Sequence, residues 1–212
     1  MTNPLPPFNV GTIVPSMRDF LQAVRTRRKG LAVIPCLAPD EAAREALRNA
    51  EEGVAAIALV EPGPAMAAAA EATRVPVLCL RRITTKDEYL AARAYGADAV
   101  IIGADLAEGL RTDLAKGSRS TRMAALQLAR TEAEAQRAVD EGARGVVLAG
   151  PDAAAVSALA KKVPPSITLI AWPARAAEGD VRSLSGGVDA VIVGVDVYGV
   201  TGFERFVSEL GS

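Results

Sequence analysis

The 212 residues carry 24 basic and 25 acidic side chains, a formal net charge of −1, and no histidine. So even a balance leaves no electrostatic footprint for nucleic acid and no polybasic patch for a membrane surface. The lack of histidine removes the commonest general base and the commonest metal ligand together. Half of the chain is apolar but only 4 % is aromatic, so its core must be built from Ala, Val, Leu and Ile.

Cys36 and Cys79 are too few for a disulfide framework or a zinc cluster. No apolar run approaches the length of a membrane span, and no charged-then-apolar leader opens the chain. The expectation is a soluble, cytoplasmic protein that binds no metal and no cofactor.

The opening segment, MTNPLPPFNVGTIVPS, is punctuated by Pro4, Pro6, Pro7 and Pro15, which forbid regular structure. Leu5, Phe8, Val10, Ile13 and Val14 are too apolar for a free tail. Residues 1–16 are therefore expected to form an extended arm lying on the body of the protein or on a neighbouring subunit. Residues 17–212 are expected to form one domain.

That domain opens with LAVIPC, an apolar strand candidate, followed by the helical DEAAREALRNAEE, which starts at Asp40 just after Pro39. The strand candidates then run EEGVAAIALV, VPVLCL, AYGADAVIIG, RMAALQL, DEGARGVVLAG, SITLIAW and SGGVDAVIVG. Between them lie TTKDEYLAARAY, TEAEAQRAVDE and PDAAAVSALAKK, each opened by Thr, Pro or Asp as a helix start. Four strand candidates echo one another through Gly53, Gly96, Gly142 and Gly187, at spacings of 43, 46 and 45 residues. A repeat at that period marks a repeated supersecondary unit. In each echo a glycine ends a helix and a Val/Ile/Ala run without polar alternation follows, as in a strand buried on both faces. Eight strands alternating with about eight helices predict a parallel (β/α)8 TIM barrel with short loops.

Chemistry in such barrels sits at the C-terminal ends of the strands. None of the lysines, Lys29, Lys86, Lys116, Lys161 and Lys162, falls on a strand end, so a buried Schiff-base or proton-donor lysine has no candidate. Glu61, Asp105 and Asp196 do fall there, either as a carboxylate cluster or as caps of the turns that follow. Arg81 and Arg82 can clamp an anion, but adjacent strand residues point to opposite sides, so at most one faces the mouth. Cys36 and Cys79 sit at corresponding ends and read as small buried residues, since no histidine is present to activate them.

From VPVLCLRRITTKDEYLAARAYGADAVIIGADL onward the chain resembles indole-3-glycerol phosphate synthase, the tryptophan-pathway barrel of the ribulose-phosphate-binding type. Pro76, Val77 and Leu78 match that family's PVLRKDF, and Ala92, Arg93, Gly96, Ala97, Asp98 and Ala99 match its EARAAGADAV. Arg18, Asp19 and Phe20 resemble its RDF; LVEP at 59–62 is similar to its LTEP, and GGVDAVIVG to its GADAVLVGE. The departures fall on the chemistry. Paired with the family's AEIKRASP, Val33 stands for the Glu, Pro35 for the catalytic Lys and Ala38 for the Ser. Leu80 stands for the second Lys, Gln127 for the fifth-strand Glu, Ala149 for the first Asn of INNRDL and Trp172 for the seventh-strand Glu. Part of the phosphate end survives as Gly194, opposite Pro173, which has no N–H to give.

The resemblance thus implies a non-catalytic relative acting as a binding or assembly protein, with a protein partner or a second copy of itself. A phosphorylated small molecule would be held, if at all, near Gly194, Arg81 and Trp172. The alternative is an enzyme of lyase or isomerase type acting on a phosphorylated small molecule through Glu61, Arg81, Arg82, Asp105 and Asp196, or the synthase itself with rearranged groups.

Overall fold

The computed structural model describes residues 8, 11, 13–26, 30–103, 105–174 and 178–194. Eight parallel strands close into a barrel in sequence order: β1 (Ala32–Cys36), β2 (Ile57–Leu59), β3 (Val77–Ile83), β4 (Ala99–Gly103), β5 (Ala124–Ala129), β6 (Gly145–Gly150), β7 (Thr168–Pro173) and β8 (Ala190–Gly194). Closure is made by β1 against β8, paired from Ala32↔Ala190 to Cys36↔Gly194. The helices are α1 (Phe20–Arg25), α2 (Ala42–Glu51), α3 (Pro64–Ala72), α4 (Lys86–Ala94), α5 (Glu108–Thr121), α6 (Glu132–Asp140), α7 (Ala153–Ala160) and α8 (Glu178–Ser183). All but α1 connect one strand to the next, which is the connection parallel strands require.

Strand alternation sorts the core into two layers. Ala32, Ile34, Ala58, Leu78, Ala99, Ile101, Leu126, Val147, Ile170, Ala190 and Ile192 fill the barrel interior. Val33, Ile57, Cys79, Val100, Val146, Leu169 and Val191 face the helices. Alanine set against Leu and Ile lets the interior fill without rings, which is how a chain so poor in aromatics makes a core. Phe20 and Val24 of α1 belong to the interior layer and close the barrel at the N-terminal ends of its strands. At Gly145 an added Cβ would stand 2.6 Å from Leu126 Cδ2 and 3.0 Å from Leu21 Cδ2, so this layer has no slack.

Three helix starts follow their sequence signals, whereas the one expected at Asp40 is a 3-10 turn over Pro39–Glu41, after which α2 begins at Ala42 without a side-chain cap. Thr85 and Thr131 form capping boxes with Glu88 and Glu134, and Asp152 accepts from Ala155 N. Three of the echo glycines, Gly53, Gly96 and Gly142, take positive φ; in the fourth echo Gly186 does so rather than Gly187, one residue earlier than the spacing suggests. Of the expected N-terminal arm, Ser16 is fully tied down: its N–H donates to Thr121 O at 2.7 Å and its hydroxyl to Asp98 Oδ1 at 2.5 Å. Residues 1–7, 9, 10 and 12 lie outside the described residues.

Candidate functional site

The rim at the C-terminal ends of the strands is built by inward-facing residues near the ends of seven of the eight strands. Cys36, Leu80, Leu128, Ala149 and Trp172 belong to or pack on the interior layer. By register, Gly103 and Gly194 take the corresponding places on β4 and β8, opposite Leu128 and Cys36. Leu80 and Leu128 are only 6 % and 5 % exposed. Not all of the positions paired with the family's catalytic groups face this rim. Leu80, Ala149 and Trp172 do. Val33 packs in the outer layer, and Pro35, between inward Ile34 and Cys36, alternates outward with it. Gln127 also points out, donating from Nε2 to Glu141 Oε2 at 3.1 Å. The inward neighbours on β1 and β5 are Ile34, Cys36, Leu126 and Leu128, so the shift of phase brings in no lysine and no carboxylate.

β3 carries an irregularity that a gapless reading misses. Cys79 pairs with Val100 and Arg82 with Ile101, so Leu80 and Arg81 have no partner on β4. Because two residues are skipped, the inward–outward alternation of β3 keeps its phase. Arg82 emerges on the inner side, the side of its partner Ile101, and Arg81 on the outer. Arg81 donates from Nη1 to Glu61 Oε2 at 2.6 Å and from Nη2 to Glu88 Oε1 at 2.9 Å. Its guanidinium is held still more firmly protonated than usual, first by the bond to Glu61, with burial opposing and Glu88 reinforcing. Burial would raise Glu88, but hydrogen bonds from Thr84 and Arg81 outweigh it and hold the carboxyl below the usual range. Arg82 meets Asp105 through Nη1, at 3.1 and 3.3 Å from the two carboxylate oxygens. Glu61 and Asp105 do not cap the helices that follow, since the N-caps of α3 and α5 are Gly63 and Ala107 without a side-chain bond, and each carboxylate is held by an arginine. Asp196 lies outside the described residues.

The remaining candidates contribute little chemistry. Burial pushes the Cys79 thiol up to about 12, which keeps it protonated and unreactive. Where the resemblance would place a phosphate, Gly194 is half-buried beside Cys36, while the N–H of Ala174 is already spent on Gly150 O at 2.8 Å. With Pro173 unable to donate, the end of β7 has no backbone N–H left for an anion at these two positions. Arg81, on the outer side, does not join Gly194 and Trp172 on the inner one.

Two polar clusters went unread in the sequence. Asp98, fully buried, accepts from Ser16 Oγ, from Arg93 Nη1 at 3.0 Å and from Val77 N at 2.9 Å, and pairs with Arg18 Nε at 2.7 Å. Arg18 also donates to the carbonyls of Ala70, Thr73, Val75 and Gly96. Elsewhere Arg111 is bonded to both oxygens of Glu141. That bond, more than the opposing burial, holds Glu141 below the usual carboxylate range, and Gln127 adds to it. Both clusters lie away from the rim and bind elements together. Their partners are distant in sequence, so only the GADAV echo, whose Asp98 recurs as Asp189, hinted at either. No family model matches the chain, and no curated protein matches it.

Proposed function

We propose that this chain is a non-catalytic relative of indole-3-glycerol phosphate synthase, a barrel of the ribulose-phosphate-binding type that acts as a binding or assembly protein. One observation carries the reading: the inner rim described is Cys36, Leu80, Gly103, Leu128, Ala149, Trp172 and Gly194, with no lysine and no carboxylate among the strand residues that face it. Closing a ring with loss of carbon dioxide needs a proton donor and a proton acceptor at the reacting atoms. Arg82 lies on the inner side at this end, but a guanidinium serves as a hydrogen-bond donor and not as a proton source. The nearby carboxylates Glu61 and Asp105 are both held by arginines. The resemblance of the framework, unbroken on both sides of these positions, supports common descent over chance.

The test is growth of a tryptophan auxotroph that lacks its own synthase. The chain, expressed at ordinary level, is expected not to rescue growth; rescue would sink the proposal. A second reading, an enzyme acting on a phosphorylated small molecule, rests on the exposure of the Arg82–Asp105 pair, whose side chains are 44 % and 61 % accessible. It would need Asp105 to leave its partner during turnover.

A further inference from the structure

We infer that Arg82 forms an anion seat at the mouth of the barrel, one that takes the carboxylate or phosphate monoester of a small organic ligand. The seat lies across the mouth from the β7–β8 end and does not depend on whether the barrel is catalytic.

Three observations converge on it. The two residues of β3 without a partner on β4 set Arg82 opposite Ile101 rather than Gly103, on the inner side next after the apolar Leu80. In unbroken register Arg82 would stand opposite Gly103, one inward position further along β4. Next, β4 leaves room for that side chain: an added Cβ at Gly103 would stand 3.0 Å from Arg82 Cδ and 2.3 Å from Asp105 Oδ1. Gly103 has no unusual φ to explain it, so the missing side chain serves the space above it. Finally, the guanidinium is only partly used. Asp105 engages Nη1 alone, and among the described residues Nε and Nη2 have no acceptor. Those two nitrogens form one edge of the guanidinium, the edge that meets a carboxylate or phosphate with two parallel hydrogen bonds. Asp105 then plays a positioning part: it anchors the far nitrogen and fixes the plane of the group while the free edge takes the ligand.

Arg81 shows the contrast. It is the same residue type one position earlier, yet it is buried against Glu61 and Glu88 and has no such role. The apolar rim of Leu80 and Leu128 beside Arg82 favours a ligand whose anionic group is attached to an apolar or neutral body, since its desolvated part meets hydrocarbon.

The experiment uses the full chain at fixed ionic strength in chloride buffer. Glycerol 3-phosphate and benzoate are titrated separately, followed by calorimetry and by the fluorescence of Trp172, the single tryptophan. Saturable binding of at least one probe is expected, and the arm that binds identifies the anion. Arg82→Gln should weaken it roughly 10- to 100-fold, the worth of a charge-assisted pair of bonds. Arg82→Lys, which keeps the charge but loses the fork, should fall between the two. Arg74→Gln, at an exposed arginine on the opposite end of the barrel, should leave binding unchanged. Circular dichroism checks that each variant is folded, and loss of an exposed pair is not expected to unfold the chain. No saturable binding of either probe overturns the inference. So does binding that survives Arg82→Gln, or that falls equally in Arg74→Gln.

Discussion

Asp98 is the residue on which most of the polar interior depends. Its two oxygens satisfy a hydroxyl, two guanidinium groups and the first N–H of β3. Asp98→Ala would leave Arg18 and Arg93 without their shared counter-charge in the protein interior. The expected loss is about 3–5 kcal/mol, the usual cost of breaking a buried pair. Asp189 accepts the corresponding bond in the later echo, from Leu169 N at 2.7 Å, but among the described residues no arginine pairs with it. Asp189→Ala should therefore cost only about 1–2 kcal/mol. Urea denaturation of both variants checks the contrast, and equal losses would contradict the role given to the arginines. Neither guanidinium contact was legible in the sequence. GADAV reads as a helix end and a strand start, and nothing in it says that Arg18, eighty residues upstream, arrives at the same carboxylate.

At the scale of the element, the capping boxes were written plainly in the chain. Thr131 and Glu134 satisfy one another's backbone N–H, and Thr131→Ala should cost about 1 kcal/mol, read as a lower thermal midpoint. Helix ends have a second consequence, in pH. Glu88 and Glu141 both have folded carboxyl groups held below their ordinary range. The unfolded chain therefore takes up protons first. Stability from these groups is fully present above the ordinary glutamate value of about 4.3 and is lost as pH falls through their lower folded values. Glu141→Gln, which ends the pairing with Arg111, should flatten the acid limb of a stability–pH curve and lower the plateau by about 1–3 kcal/mol. A variant with an unchanged acid limb would show that Glu141 does not carry it. The β3 bulge belongs to this scale too. Its sequence, LCLRRI, shows a strand of ordinary alternation; that Leu80 and Arg81 skip a partner depends on β4, not on β3.

Across the whole molecule, the apolar rim makes a prediction about repair. Leu80→Lys places an amine on the inner side of the rim, where the resemblance pairs a catalytic lysine. It should nevertheless yield no indole-3-glycerol phosphate synthase activity in a direct assay of product. General acid–base groups contribute roughly 10²- to 10⁴-fold each and act as a unit, so a single lysine added to this rim recovers little. A measurable rate in Leu80→Lys would mean that a working acid–base partner remains, with Glu61 and Asp105 the first to examine. The charged groups at this end are instead arranged as arginine–carboxylate pairs, which hold loops and leave one guanidinium edge open.

The barrel itself was decided by the sequence. Four glycine-and-strand echoes with a second apolar run between each pair allow few arrangements other than eight parallel strands with helices outside, because each unit must bury its apolar faces against the next. The same local patterns fixed the helix starts at Thr85, Thr131 and Asp152. What only the tertiary structure decided is which face each rim residue presents and whom each charge meets. Side-chain direction along a strand changes with every residue, so a pairing one position out of phase moves Val33, Pro35 and Gln127 from the interior to the helix layer. Glu61, Arg81, Arg82 and Asp105 were all found at strand ends from sequence. Their sorting to opposite sides follows the alternation of β3, while the carboxylate each arginine meets, Glu61 and Glu88 for Arg81 and Asp105 for Arg82, is decided by the tertiary structure.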